Sequence, residues 1–158
     1  LIFLFGAELA FSHQNVHKYQ RDFQEKELSR TAKLEACFVM LNMIINRFIK
    51  NKQALSYEEI ASDANLPVRI CHTLLDDMVS AKILVRTEDK EGNLNAFIPA
   101  MEPGKISFAL VTERLDNLGN QSIWEDDSFN YEPYRIQVKK MKEELHLGTG
   151  ALLVKDIS

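Results

Sequence analysis

The chain has 158 residues, 46% hydrophobic and 27% charged, which fits one domain with flanking segments and excludes a disordered tail or a collagen-like fibre. Nineteen Lys+Arg against 23 Asp+Glu leave a net charge of -4, so the whole chain has no field to steer it toward nucleic acid or anionic lipid. Its two cysteines, Cys37 and Cys71, form no Cys-x-x-Cys pattern, which argues against a disulfide framework or zinc ribbon and for reduced thiols.

In chain order, residues 1–11 are apolar or small except for Glu8. A bilayer-spanning helix needs about 20 such residues, so the run is expected to be the end of a last transmembrane helix, residues 1–12. A buried N-terminal helix is the alternative. From His13 to Lys33 the bases Lys18, Arg21, Lys26, Arg30 and Lys33 outnumber the acids Asp22, Glu25 and Glu27. Such an excess beyond a helix end marks the cytoplasmic side. Residues 13–33 are therefore expected to form a juxtamembrane helical linker, with everything after about residue 12 in the cytoplasm. Glu8 is a candidate membrane-embedded functional residue, because a carboxylate in hydrocarbon is costly and usually faces a bundle interior, cavity or partner charge. A helix–helix contact is its structural alternative.

Residues 34–119 read as one domain. Leu34, Cys37, Phe38, Leu41, Ile44, Ile45 and Phe48 fall on one helical face. Ser56-Tyr57-Glu58-Glu59 has the Ser-x-x-Glu form of a capping box and opens a short helix to about Asp63. Asn65-Leu66-Pro67 makes a turn, and a second helix starting at Pro67 carries Val68, Cys71, Leu74, Leu75, Met78 and Val79 to about Lys82. Two β-prone runs, Ile83–Thr87 and Leu94–Ile98, flank a charged loop containing Gly92-Asn93 and predict a hairpin. A helix from about Pro103 to Leu118 closes the unit. Helix, helix-turn-helix and hairpin in this order predict a winged helix, mainly α with a small β-hairpin, in the α+β class.

Residues 120–158 are expected to be a linker and a C-terminal amphipathic helix or tail. The linker is acidic around Trp124. The helix begins near Pro133 and places Tyr134, Val138, Met141 and Leu145 on one face, a pattern expected of a docking surface. The closing Leu152–Ile157 is expected on the domain or on a neighbour.

Phe5-Gly6-Ala7-Glu8-Leu9 and Gln14-Asn15-Val16-His17-Lys18-Tyr19 resemble the end of the membrane region in the bacterial YihY/BrkB inner-membrane family, older members of which carry a ribonuclease BN-like label. Leu55–Ala61 with Asn65–Arg69, Pro99-Ala100-Met101 before Val111–Leu115, and Leu152–Ile157 resemble the winged-helix tail of one branch. The resemblance implies an inner-membrane location, a transporter-like membrane part of the same protein as partner, and, from the older label, tRNA processing.

No catalytic, metal or cofactor constellation supports that label. His13 and His17 lie four apart, a pair of ligands rather than a site, and neighbours His72 and Cys71 point about 100° apart on a helix. No catalytic residue, metal ligand or cofactor is assigned, and the chain is read as no enzyme. For DNA, the motif from Ser56 to Phe97 holds eight acids against four bases, a local balance of -4. Duplex binding neutralises phosphates with Lys and Arg, so nucleic acid is not expected as a partner. The sequence reading is a non-catalytic interaction or regulatory module with a protein partner or a homo-oligomer, attached to the membrane through its N-terminal helix. The alternative is a DNA-binding regulator, read out by Arg69, His72, Thr73, Arg86 and Lys90.

Overall fold

A computed structural model of the chain describes residues 28–119 and 130–157. The first helix, α1 (Arg30–Ile49), starts at Ser29, whose hydroxyl accepts the Ala32 N–H at 3.2 Å. Its stripe buries Cys37, Met40, Leu41, Ile44 and Ile45. Met40 joins the stripe, whereas Phe48, expected on it, is 43% exposed because it lies in the last turn.

The capping box forms as the Ser-x-x-Glu spacing predicts. Ser56 Oγ accepts the Glu59 N–H at 3.3 Å and Glu59 Oε2 accepts the Ser56 N–H at 3.0 Å, which starts α2 (Tyr57–Asp63). Asn65 takes a φ of +52° in the turn, and α3 (Val68–Ser80) follows with Pro67 at its N-cap. On α3, Ile70, Cys71, Leu74, Leu75 and Met78 are buried, while Val68 faces outward.

The hairpin strands β2 (Leu84–Thr87) and β3 (Ala96–Pro99) pair antiparallel, with Val85 opposite Ile98. A two-residue strand that the sequence does not announce, β1 (Leu55–Ser56), pairs with the other edge of β3, so the order is β1-β3-β2. Two residues are too few to carry a period-two signal.

The helix expected from Pro103 to Leu118 divides into a 3-10 turn at Pro103–Lys105 and α4 (Phe108–Asp116), capped by Ser107. The cause lies in the tail. Ile106 C=O accepts the Val154 N–H and Phe108 N–H donates to Leu152 C=O, both at 3.0 Å, so this backbone is committed across space. Val154 is fully buried, and Asn42 Nδ2 donates to the carbonyls of Val154 (2.8 Å) and Ile157 (3.1 Å). The closing segment thus lies on the domain. The last helix, α5 (Glu132–Leu147), leaves Tyr134, Val138, Met141 and Leu145 between 49% and 67% exposed. Met141 and Leu145 border a groove of about 530 Å³ shared with Phe38, Phe108, Leu152 and Ile157.

Among the described residues no helix is long and apolar enough to cross a membrane. The expected membrane helix end at 1–12, with Glu8, and the His13/His17 pair lie outside the described residues.

Candidate nucleic-acid interface

The outward face of the helix-turn-helix is built by local rules. Three helices end in the same way, with a residue of positive φ just past the cap: Asn51 after α1, Asn65 after α2 and Lys82 after α3. After α3, Lys82 N–H bonds to Val79 C=O at 3.0 Å and Ile83 N–H to Met78 C=O at 2.9 Å, the paired bonds of a Schellman stop. Arg114 Nη1 adds a 2.7 Å bond to the Lys82 carbonyl. This stop ends α3 and turns the chain into β2, so the second helix and the hairpin are held at one angle.

Because Ile70, Cys71, Leu74, Leu75 and Met78 face the core, Arg69, His72, Thr73 and Asp76 share the opposite face of α3. Arg69 is exposed and carries no ion pair to another described residue. Thr73 Oγ1 donates to the Arg69 carbonyl at 3.1 Å, which leaves its oxygen as an outward acceptor. His72 is half exposed; its Nδ1 lies 3.2 Å from Asp76 Oδ2, and its ring meets Tyr57 edge-on at 5.3 Å. Arg86, from β2, bonds to the other oxygen of Asp76 and sits over the Phe97 ring, 5.6 Å from its centroid.

Lys90 is not placed with these residues. In the loop between β2 and β3 its Nζ bonds to Glu59 Oε1 at 2.6 Å, which ties the wing to the start of α2. That contact and the Ser56 N–H hold the Glu59 carboxyl below the usual carboxylate range. Within the loop Asp89 Oδ1 accepts the N–H groups of Glu91 and Asn93 at 2.8 and 3.0 Å. These backbone bonds, that from Asn93 foremost, lower its pKa, and Gly92 supplies the φ of +84° the turn requires.

Of the five residues predicted as DNA readers, then, the structure brings Arg69, His72, Thr73 and Arg86 to one face and sets Lys90 apart on the wing. Asp76 and Tyr57 also belong to the site. Asp76 was legible from its position four residues after His72; Tyr57 was not. Among the described residues no three His, Cys, Asp or Glu side chains are grouped as metal ligands.

The chain is similar in fold to solved winged-helix proteins. CymR (YrzC), the global cysteine regulator of B. subtilis, aligns at a TM-score of 0.55 with 12% identity, over 82% of this chain and 95% of that one. IscR of T. potens aligns at 0.56 with 15% identity, over 84% and 88%. A Listeria innocua protein provisionally described as a transcriptional regulator aligns at 0.55 with 18% identity, over 85% and 87%. At these identities the likeness establishes the fold, a winged helix of the α+β class. No family model and no curated protein matches the sequence, and nothing in these comparisons bears on the YihY/BrkB resemblance.

Three expectations are corrected. The inner-membrane location, with the membrane as partner, finds no support: no described helix could span a bilayer, and the solved proteins of this fold include named regulators rather than membrane-protein tails. Of the expected description, the winged helix-turn-helix is supported by these structures, whereas its membrane, YihY/BrkB and ribonuclease BN-like parts find no support in them. The exclusion of nucleic acid also falls. It rested on a charge count along the motif, whereas the solved proteins that share this fold include ones described as regulators.

Proposed function

We propose that the chain is a non-catalytic, DNA-binding transcriptional regulator in which α3 enters the major groove and the loop between β2 and β3 approaches the backbone. The observation that carries this reading is the α3 face itself. It presents Arg69, His72 and Thr73 outward with its one acid, Asp76, already ion-paired, on a fold that named regulators share. Arg69 supplies a donor fork suited to guanine O6 and N7, and His72 and Thr73 supply smaller polar groups beside it. Lys82, exposed at the end of α3, is placed to meet phosphate.

The test is selection from a randomised duplex pool, followed by anisotropy titrations of the enriched and random duplexes. The expected result is an enriched motif bound at least about 10³-fold more tightly than random duplex. Arg69→Ala should weaken the motif about tenfold or more, equivalent to the 1–3 kcal/mol of one bidentate base contact. A pool that returns no motif, with no duplex binding at 100 mM salt, would refute the reading.

A further inference from the structure

We infer that Asp76 determines the selectivity of this interface by holding Arg86 and His72 in a fixed arrangement. The inference rests on the duplex-binding reading above and assigns a role to a residue that reads no base itself. An acid on the outward face of a DNA-reading helix should repel phosphate, and its presence needs a physical reason. The geometry supplies one. Both carboxylate oxygens are engaged: one accepts from Arg86 on β2 and the other faces His72 Nδ1, one turn earlier on α3. The two partners are each restrained a second time, Arg86 by the Phe97 ring beneath its guanidinium and His72 by the edge contact with Tyr57. Asp76 therefore links α3, the sheet and, through Tyr57, the start of α2.

This linkage decides what the two side chains offer. Arg86 and His72 keep 36% and 51% of their side chains exposed, so both are reachable from outside. With one edge on Asp76, the guanidinium directs its remaining N–H donors in one plane. A hydrogen bond from His72 Nδ1–H to Asp76 leaves Nε2 of the neutral ring as an outward acceptor, suited to an adenine or cytosine amino group. Without Asp76, both side chains regain their rotamers. Arg86 would then pair with whichever phosphate is nearest, a contact that carries no sequence information.

The experiment compares wild type, Asp76→Asn, Arg86→Ala and Asp63→Asn on the selected motif and on random duplex across a salt series. Asp63 is an exposed acid at the end of α2, so its neutralisation makes the same charge change without releasing Arg86. Asp76→Asn should bind random duplex about five- to tenfold more tightly and lose most of its preference for the motif. Its log K against log salt should steepen by about one, as one more phosphate contact forms. Arg86→Ala should lose preference without steepening. Asp63→Asn should strengthen both duplexes equally and leave selectivity unchanged.

If Asp76→Asn behaves as Asp63→Asn in selectivity and slope, the inference fails and the regulator reading stands. If wild type binds no duplex, both fall together. Circular dichroism melts of each variant distinguish an unfolded protein from a released side chain. Should Asp76→Asn fail to fold, Asp76→Glu replaces it. The longer side chain keeps the charge but moves the carboxylate, so it should lower selectivity with little change in slope, and unchanged selectivity would overturn the inference.

Discussion

At the scale of the residue, the two cysteines and the capping serine are the most directly testable. Cys37 and Cys71 are 2% and 0% exposed, and burial pushes both thiols up to about 12. Thiolate is the reactive species, so neither should react with a thiol reagent in the native state at neutral pH, and both should react in denaturant. A fast native reaction at either would contradict the packing. The sign of the linkage also follows. The folded state's preference for the protonated thiol is fully present below the ordinary value of 9.0 and is lost as pH rises from there to about 12. Denaturation midpoints should fall across that window, and Cys71→Ala should flatten the fall. Ser56 caps α2 with a reciprocal bond, so Ser56→Ala should cost about 1 kcal/mol in chemical denaturation, at the middle of the range for lost N-caps.

At the scale of the element, α3's stop and the closing segment matter most. Lys82 holds a φ of +59° at the position where glycine is preferred. Lys82→Gly should therefore raise stability by about 0.5–1 kcal/mol while keeping the bend into β2. A loss of stability would mean that the Lys82 side chain carries more than its exposure suggests. The closing segment is an element in the packing sense although it is mostly a 3-10 turn. Val154 fills the core and Asn42 bonds two of the segment's carbonyls. Asn42→Ala should cost about 1–3 kcal/mol by removing its two hydrogen bonds to the segment, and Val154→Asp about 3 kcal/mol or more by burying a charge with no partner. Unchanged thermal melts for both would detach the segment from the domain. The bonds from Val154 N–H to Ile106 C=O and from Phe108 N–H to Leu152 C=O explain why the chain breaks its helix at Ile106–Ser107 rather than running on from Pro103.

At the scale of the whole molecule, ion pairs join elements that hydrophobic contact alone would leave loosely related. Glu59, held low by Lys90, ties the wing to α2. A depressed carboxylate contributes stability that is present above its ordinary value of 4.5 and is lost as pH falls through the lower folded value. Acid titration should therefore loosen the wing first. Lys90→Met should reduce the acid dependence, as followed by amide exchange in the loop between β2 and β3. Exchange in that loop that does not respond to acid would show the pair to be without effect on the wing.

The elements that depend on neighbours along the chain were legible in the sequence. The stripe of α1, the capping box of α2, the start of α3 near Pro67 and the hairpin strands follow from spacing and local hydrogen bonding, and they sufficed to specify a winged helix. The sequence did not contain β1, whose two residues become a strand only because β3 lies beside them, nor the break before α4, which depends on carbonyls and N–H groups about 45 residues away. The site divides in the same way. Arg69, His72 and Thr73 were legible because they share one helical face, but a charge count along the chain treats Asp76 as a free acid. Folding brings Arg86 from β2 against it and so neutralises this acid, because Coulomb attraction depends on separation in space and not on distance along the sequence.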